Sequence, residues 1–312
     1  MTINSAVLDY RIPMIGETAH KCLSQAHHGK VLASFSQAAY LLTEGGELVW
    51  ITSSQSARHR RNIQSSLKFP RPLANSTFTI QDQSIILDSG LELIFSGSHI
   101  WQGSSLPSLD VIEINEIPEK LLPVFERIST WNQSAGIGSF IQPILQIAGR
   151  EEPSIFFQPY DILNRKTWSI IKKITTACKA HDFNKVLKYA RSLVGLGEGL
   201  TPCGDDFIGG LLFARHLLLC NYPDLNYLKS KSIHTWIEAT KPRTNLISYV
   251  LLKDNVNGYA LEPLTQLGVA ILTGQSLEDT CSAAAELIEV GQSTGWSMLT
   301  GFLAGMLLVI ND

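Results

Sequence analysis

The sequence lacks the residue patterns on which most metal and redox sites depend. It has no CxxC pair and no HExxH motif, and its eight histidines include one close pair, His27-His28. Its five cysteines are odd in number and widely spaced, which favours reduced thiols over a disulfide framework or a zinc site. We therefore expect a cytoplasmic protein without a redox cofactor.

Charged residues are scarce, and neither sign dominates. They make up 17% of the chain, the formal net charge is −3, and apolar residues supply 45%. Binding to a phosphate backbone needs a basic face, so the balance predicts no nucleic-acid partner. A compact basic cluster, Arg58 to Arg61, is interpreted as a solvated surface turn, with an anion contact or a partner surface as the alternative. The apolar content is ample for a globular core.

Long hydrophobic runs are missing as well. The longest apolar stretches, near Leu211–Cys220 and Phe302–Ile310, fall short of the roughly 18 residues that span a bilayer. The first residues, MTINSAVLDYRIPMIGE, carry acidic and polar side chains where a signal peptide has an apolar centre. We expect neither membrane insertion nor a secretion signal.

Apolar runs separated by turn residues predict a β-rich first half. Glu44-Gly45-Gly46 lies between two of the runs and indicates a hairpin turn. The stretch from 118 to 161 is rich in proline and is interpreted as a helix, loops and a link. The predicted strand regions are Val31–Leu42, Glu47–Ile51, Phe78–Ile80, Ser84–Leu87, Leu91–Phe95 and Val111–Ile114.

Helical periodicity dominates the second half. An apolar pattern follows Asp182, a predicted N-cap, and runs up to Gly195. Ser276 and Asp279 resemble a capping box that opens another helix, which ends near Gly291. The sequence thus predicts an α+β protein, with a β-rich domain over residues 1–160 and a mainly α-helical domain over residues 161–312.

The segment 195–206, GLGEGLTPCGDD, combines four glycines with a predicted helix start. Glycine opens backbone conformations that other residues avoid. Thr201 suits an N-cap and Pro202 the first helical position. A glycine loop that leads into a helix N-terminus offers free backbone N–H groups, which predicts an anion site.

Asp205 and Asp206 replace the lysine and hydroxyl residue that would complete a P-loop, and two carboxylates repel phosphate. Three interpretations remain open. The pair can coordinate Mg²⁺, one aspartate can orient or deprotonate an amide or amine substrate, or both can stabilise the helix dipole by about 0.3–1 kcal/mol each. Cys203 lies in the same turn, where a thiol pKa can be lowered.

A second glycine and hydroxyl turn, Gly291 to Gly295, leads into a further apolar helix. Gly204 and Gly210 are six residues apart, as are Gly295 and Gly301. Mid-helix glycines at matching positions predict two helices that pack closely. The two helix starts, together with the polar segment 241–248 (KPRTNLIS), are then expected to form one pocket.

The runs GLGEGLTPCGDDFIGG, RTNLIS and GQSTGWSMLTGFLAG resemble the family of the AllH-type subunit of oxamate carbamoyltransferase. The resemblance covers roughly the last 130 residues, and many members of the family are known only as a domain of unknown function. The chain departs from the family pattern at Glu198, Cys203, Gln292 and Thr294. The family commonly has a Gly-His-Thr-Ser-Gly-like run at the second turn, so no histidine chemistry is expected there.

The resemblance implies a role in purine-nitrogen (allantoin) catabolism. The family's transferase moves a carbamoyl group between oxalurate or oxamate and phosphate, as a complex of three different subunits. It therefore implies a small anionic substrate and partner subunits. We predict Asp205 and Asp206 as catalytic residues that can also hold Mg²⁺. The predicted substrate-binding residues are Gly197, Gly199, Leu200, Thr201, Gly204, Arg243, Thr244, Asn245, Ser248, Ser293, Thr294 and Gly295.

Two other functions compete with a transferase subunit. A non-catalytic subunit would use the glycine loops only for anion binding or assembly. A stand-alone Mg²⁺-dependent hydrolase would use Asp205 and Asp206 on a small amide or phosphate substrate. Activity of the purified chain alone favours the hydrolase, and activity only in a complex favours the transferase subunit.

Overall fold

The fold was described from a computed structural model, which places residues 8–35, 37–66, 76–103, 110–131, 136–149 and 162–310. The chain divides into two compact units, Met1–Ser105 and Leu106–Asp312. The first is built on a β-sheet and the second on helices, so the predicted α+β class is confirmed.

The described residues of the first unit form one mixed sheet of ten strands and one helix, α1 (Glu17–Gln25). The strand order is β1-β9-β8-β7-β3-β4-β5-β6-β2-β10. The pairs β1–β9, β5–β6 and β2–β10 are parallel, and the others are antiparallel. The strands are β1 Leu8–Arg11, β2 Met14–Gly16, β3 His28–Ser34, β4 Ala38–Thr43, β5 Leu48–Ser53, β6 Asn62–Ser65, β7 Thr77–Gln81, β8 Ser84–Leu87, β9 Leu91–Ile94 and β10 His99–Trp101.

The predicted hairpin is present between β4 and β5. Gly46 has φ of +79°, a conformation that glycine adopts without steric cost. Along β4 every second residue is buried, as expected for a strand with one face on the core. The apolar core of this unit includes Leu41, Ile51 and Phe78.

The basic cluster at 58–61 is not a solvated turn, so that interpretation was wrong. His59 is buried and stacks on Trp50, with ring centroids 4.8 Å apart. Arg60 and Arg61 form ion pairs with Glu17 at 2.7 Å and Glu47 at 3.0 Å. The carboxylates come from elements distant in sequence, which the local pattern of charge cannot reveal.

The second unit contains ten helices in its described residues. They are α2 Ile117–Ser129, α3 Ile141–Ala148, α4 Ile162–Lys179, α5 Phe183–Ala190, α6 Cys203–Asn221, α7 Ile233–Glu238, α8 Leu246–Val256, α9 Glu262–Leu272, α10 Leu277–Ile288 and α11 Thr294–Met306. The division between the two units falls at 105/106, whereas the sequence predicted a boundary at 160/161. Within the second unit, α2 packs against α9 and α10, and α3 packs against α4 and α11.

The strand predicted at Val111–Ile114 does not form. Residues 111–113 have no regular structure, and a 3-10 turn spans Ile114–Glu116. The backbone N–H of Ile112 bonds to the carbonyl of Leu272, and Glu113 caps the turn together with Glu116. The apolar residues are therefore anchored to helical elements rather than to a sheet.

Two helix starts follow the sequence prediction closely. The Asp182 side chain accepts a hydrogen bond from the backbone N–H of Lys185 at the start of α5. The Ser276 side chain accepts one from the backbone N–H of Asp279 and donates to its carboxylate at 2.7 Å. Both caps use short polar side chains and neighbouring backbone, so the local sequence specifies them.

Helices α6 and α11 form the centre of this unit and pack at their glycines. A β-carbon at Gly210 would overlap the carbonyl oxygen of Met298, and one at Gly301 would overlap that of Phe207. Met298 precedes Gly301 by three residues and Phe207 precedes Gly210 by three, so the contact is reciprocal. Further along, Gly305 lies against Ala214. The two helices therefore run parallel, and the predicted close packing is confirmed.

Candidate functional site

Asp205, at the start of α6, is a buried carboxylate that joins three backbone segments. It is 2% exposed. One oxygen accepts the backbone N–H of Gly195 at 2.8 Å, and the other accepts the hydroxyls of Thr244 and of Ser248, the latter at 2.7 Å. Three donors to one carboxylate satisfy the buried charge. Asp205 thus ties the glycine loop to the start of α8.

Asp206 is equally buried but has different surroundings. It is 3% exposed, and its Oδ2 atom has no hydrogen-bond partner among the described residues. Burial raises the pKa of Asp206 well above its ordinary value, hydrogen bonds from Thr294 and Thr201 act in the opposite direction, and the charge of Asp205 raises it again. An unpartnered, buried carboxyl oxygen is costly, and a ligand donor would relieve that cost.

The hydroxyls of Thr201 and Thr294 connect the starts of α6 and α11. Their Oγ1 atoms are 2.9 Å apart. Thr201 is not the N-cap of α6, as the sequence suggested, because Pro202 occupies that position in an extended conformation. The prediction was wrong by one residue, and the Thr201 hydroxyl is turned towards Asp206 and Thr294 instead of the helix backbone.

Three backbone N–H groups at the start of α6 already have acceptors within the chain. The N–H of Gly204 donates to the carbonyl of Leu196, and those of Asp205 and Asp206 donate to the carbonyl of Pro202. These groups are already satisfied, so they offer an anion little. The helix start is better suited to a ligand that donates hydrogen bonds to Asp206.

The glycines of the loop divide by environment. Gly197 and Gly199 are exposed and have φ of +119° and +89°. Gly204 and Gly295 are buried and lie in close contact with backbone. A β-carbon at Gly204 would overlap the carbonyl oxygen of Leu193, and one at Gly295 would overlap that of Leu287. The first two can border a ligand, whereas the second two allow each helix start to pack against the chain before it.

The segment before α8 lies beside the glycine loop. Asn245 caps α8 by accepting the backbone N–H of Ser248, and its amide donates to the carbonyl of Leu200 at 2.8 Å. The carbonyl of Arg243 lies against Gly195, and Arg243 itself is exposed. Arg243 therefore lies beside the loop through its backbone, and Asn245 holds the loop through its side chain.

The second turn reaches the same place through Ser293 and Thr294. Ser293 is the residue before α11 and is half-buried. A β-carbon at Gly136, which has φ of +60°, would lie 2.9 Å from that of Ser293 and 2.7 Å from the hydroxyl of Ser297. The structure therefore brings the glycine loop, the start of α8 and the second turn together.

Cys203 lacks the surroundings of a nucleophilic thiol. Burial raises its pKa, and the nearby charge of Asp206 raises it further. Its Sγ atom lies 3.5 Å from the carbonyl oxygen of Leu196. A thiol held protonated in this way is a packing residue.

Few carboxylate oxygens at this site remain free to bind Mg²⁺. Both oxygens of Asp205 already accept protein hydrogen bonds, which leaves Oδ2 of Asp206 as the one unpartnered carboxylate oxygen of the pair. The described parts of the chain contain no cluster of three or more His, Cys, Asp or Glu residues with metal-binding geometry. Mg²⁺ usually requires six oxygen ligands, so substrate and water would have to supply nearly all of them.

Sequence reasoning missed several polar groups around the site. Asn255 on α8 and Ser297 on α11 are buried, and Oδ1 of the first and Oγ of the second lack hydrogen-bond partners among the residues described. Gly195, whose N–H binds Asp205, was seen only as part of the loop. Asn255 and Ser297 occur in apolar helices, and such isolated polar residues were the available signal.

Comparison with known proteins identifies the part of the chain that carries this site. No solved structure matches the chain. None of the helices in the described ranges is long and apolar enough to cross a membrane. Residues 193–306 match the family model described as oxamate carbamoyltransferase subunit AllH. The resemblance found in the sequence is therefore confirmed over residues 193–306, which are similar to this family.

Proposed function

We propose that this chain is a subunit of a carbamoyltransferase-type enzyme that acts on oxamate or oxalurate and carbamoyl phosphate in purine-nitrogen (allantoin) catabolism. The family match over residues 193–306 supports the subunit role. The observation that carries the site is the buried, unpartnered Oδ2 atom of Asp206 where three segments meet.

The chemistry of these substrates fits an acceptor at this position. Oxamate and carbamoyl phosphate both carry an amide-type NH₂ group, which donates two hydrogen bonds. Oδ2 of Asp206 accepts one of them and positions the group against Thr201 and Thr294. Arg243, exposed at the rim, provides a cation for the carboxylate or phosphate end.

Asp206 also suits proton transfer. When the oxamate nitrogen attacks the carbamoyl carbon, the C–N bond forms, phosphate leaves, and the nitrogen loses one proton. A carboxylate whose pKa is raised by burial is a stronger base than an ordinary one, so it accepts that proton more readily near neutral pH. In the direction of oxalurate cleavage, the protonated carboxyl returns the proton to the departing nitrogen.

Calorimetry with oxamate tests the binding role of Asp206. We expect the wild-type chain to bind oxamate and Asp206→Asn to bind it about tenfold more weakly or worse, since one lost hydrogen bond to a charged group costs about 1.5–3 kcal/mol. The substitution places an amide nitrogen donor where the acceptor was. Asp182→Asn, which changes a partly exposed carboxylate at another helix start, is the matched control and should bind normally.

The same titration distinguishes the competing functions. It should be repeated with carbamoyl phosphate, with and without Mg²⁺, on the chain alone and on the assembly co-purified from the native host. Carbamoyl transfer only in the assembly supports the proposal. Mg²⁺-dependent hydrolysis by the isolated chain contradicts it and favours a hydrolase. Equal oxamate binding by the wild type and Asp206→Asn removes Asp206 from the site.

Asp206→Asn should also raise the melting temperature at neutral pH. Asp206 binds its proton more tightly in the folded chain than in the unfolded one. Its contribution to stability is therefore complete below the unfolded pKa of about 3.9 and is lost as pH rises towards the folded pKa. Asparagine stays neutral, so the variant gains relative to the wild type as pH increases.

We expect the gain to be about 2–4 °C for each kcal/mol recovered, as for other domains of about 200 residues. Melting curves of both proteins between pH 4 and pH 8 measure it, with Asp182→Asn as control. A difference in melting temperature that stays constant or shrinks with rising pH would show that Asp206 is not a strained, buried carboxyl.

A further inference from the structure

A cavity lined by several basic side chains opens in the helical unit, beside the far part of α6. Its volume is about 610 Å³, within the usual range of small-molecule sites. Its nine lining residues include five basic side chains and none that is acidic. The basic residues are Arg215, His216, Lys229, Lys231 and His234.

Arg215 is the buried cation of this cavity. It is 6% exposed, and burial lowers its pKa to about 10. Its Nε donates to the carbonyl of Leu228 at 2.8 Å, and its guanidinium lies over the ring of Phe183 at 4.7 Å. Within the described ranges no carboxylate pairs with it, so its Nη groups retain their donors. A guanidinium buried without a counter-ion is unfavourable.

The surrounding residues hold this cation in a fixed position. The Phe183 ring and the Leu228 carbonyl fix the plane of the Arg215 guanidinium. The neighbouring His216 packs closely on Gly258, where a β-carbon would overlap the His216 imidazole. Lys229 and Lys231 are exposed, and so is His234. A buried cation therefore lies in the cavity together with three exposed basic side chains, of which Lys229 donates to the side-chain oxygen of Asn226 at 2.9 Å.

We propose that this cavity binds a small phosphate-type anion. A guanidinium presents paired donors that match phosphate oxygens, and two lysines add charge for a dianion. The site is separate from the aspartate site. Arg215 follows Asp206 by nine residues on α6, which places it about 14 Å along the helix at 1.5 Å per residue. The inference does not depend on the proposed carbamoyltransferase function.

The test is calorimetry on the full chain with inorganic phosphate and, in a second series, with adenosine monophosphate as a phosphomonoester. We expect Lys229→Ala/Lys231→Ala to weaken binding by about tenfold or more, as loss of two charge-assisted contacts predicts. Lys120→Ala/Lys166→Ala removes the same charge from exposed positions of other helices, and it should bind as the wild type does.

Arg215→Met keeps an unbranched side chain against Phe183 and should abolish binding. The lysine pair decides the question if that variant does not fold. Asp206→Asn should retain the phosphate response, which separates this cavity from the aspartate site. Tighter binding of phosphate or of the monophosphate identifies the form recognised, and both support the proposal. No heat with either ligand, or equal affinity in the two lysine variants, overturns it.

Discussion

Gly210→Ala is expected to destabilise the helical unit by about 3 kcal/mol, the upper end of the usual cost of overpacking a core. The added β-carbon would overlap the carbonyl oxygen of Met298 and lie 2.9 Å from the backbone nitrogen of Phe302. Backbone atoms cannot move aside as a flexible side chain does, so α6 and α11 would have to separate. Thermal or urea unfolding measures the loss.

Gly209→Ala is the matched control on the same helix. Its β-carbon would lie 3.2 Å from the side-chain nitrogen of Asn255 and 3.7 Å from the terminal methyl group of Met298, both in side chains that can adjust. Alanine is a better helix former than glycine by about 1 kcal/mol, which offsets the crowding. Equal losses in the two variants would show that reciprocal glycine packing does not hold the helices together.

The consequence for the site is direct. The hydrogen-bonded pair Thr201 and Thr294 lies at the starts of these two helices, so any separation of α6 from α11 pulls the pair apart. We therefore expect Gly210→Ala, where it still folds, to weaken oxamate binding as well. Gly209→Ala should keep it.

Asp205→Ala is expected to cost about 3 kcal/mol or more, because a hydrogen bond to a buried charge is worth about 1.5–3 kcal/mol and three are lost. The backbone N–H of Gly195 and the hydroxyls of Thr244 and Ser248 would all lose their acceptor. The melting temperature should fall by roughly 6–12 °C at 2–4 °C per kcal/mol. Scanning calorimetry measures the change.

Asp182→Ala is the control for this variant, since the partly exposed Asp182 caps α5 with one backbone hydrogen bond and an ion pair to Lys185. The stability lost in Asp182→Ala should be much smaller than that lost in Asp205→Ala. Losses of similar size would mean that Asp205 only complements the helix dipole. Asp205→Asn should fall between, because one amide oxygen can accept from Gly195 while the hydroxyls rotate to meet the amide nitrogen.

Asp205 and Asp206, which the sequence analysis treated as a pair, therefore have different surroundings in the structure. Adjacent residues on a helix point about 100° apart, so their side chains meet different neighbours. Asp205 meets three donors and holds the segments together, whereas Asp206 keeps an oxygen without a partner. We therefore predict that Asp205 acts by holding these segments together and that Asp206 is the one that contacts a ligand.

Features set by neighbouring residues were predictable from the sequence. These include the β4–β5 hairpin with Gly46, the caps at Asp182 and Ser276, and the close approach of two helices with matching glycine spacing. Each rests on local backbone geometry or on the helical period. The family resemblance over the glycine loop likewise depends only on a contiguous run of residues.

Features that depend on partners distant in sequence were decided by the tertiary structure. The strand predicted at Val111–Ile114 does not form, and the backbone N–H of Ile112 bonds to the carbonyl of Leu272 instead. In the cluster at 58–61, two arginines form ion pairs with Glu17 and Glu47. The basic cavity around Arg215 joins residues from three separate parts of the chain. The sequence by itself determined the capped helix starts at Asp182 and Ser276 and which two helices could pack closely. Only the tertiary structure decided that the carboxylate of Asp205 has hydrogen-bond donors at both oxygens whereas that of Asp206 has one oxygen without a partner. The reason is that the partners of a side chain depend on long-range packing rather than on local periodicity.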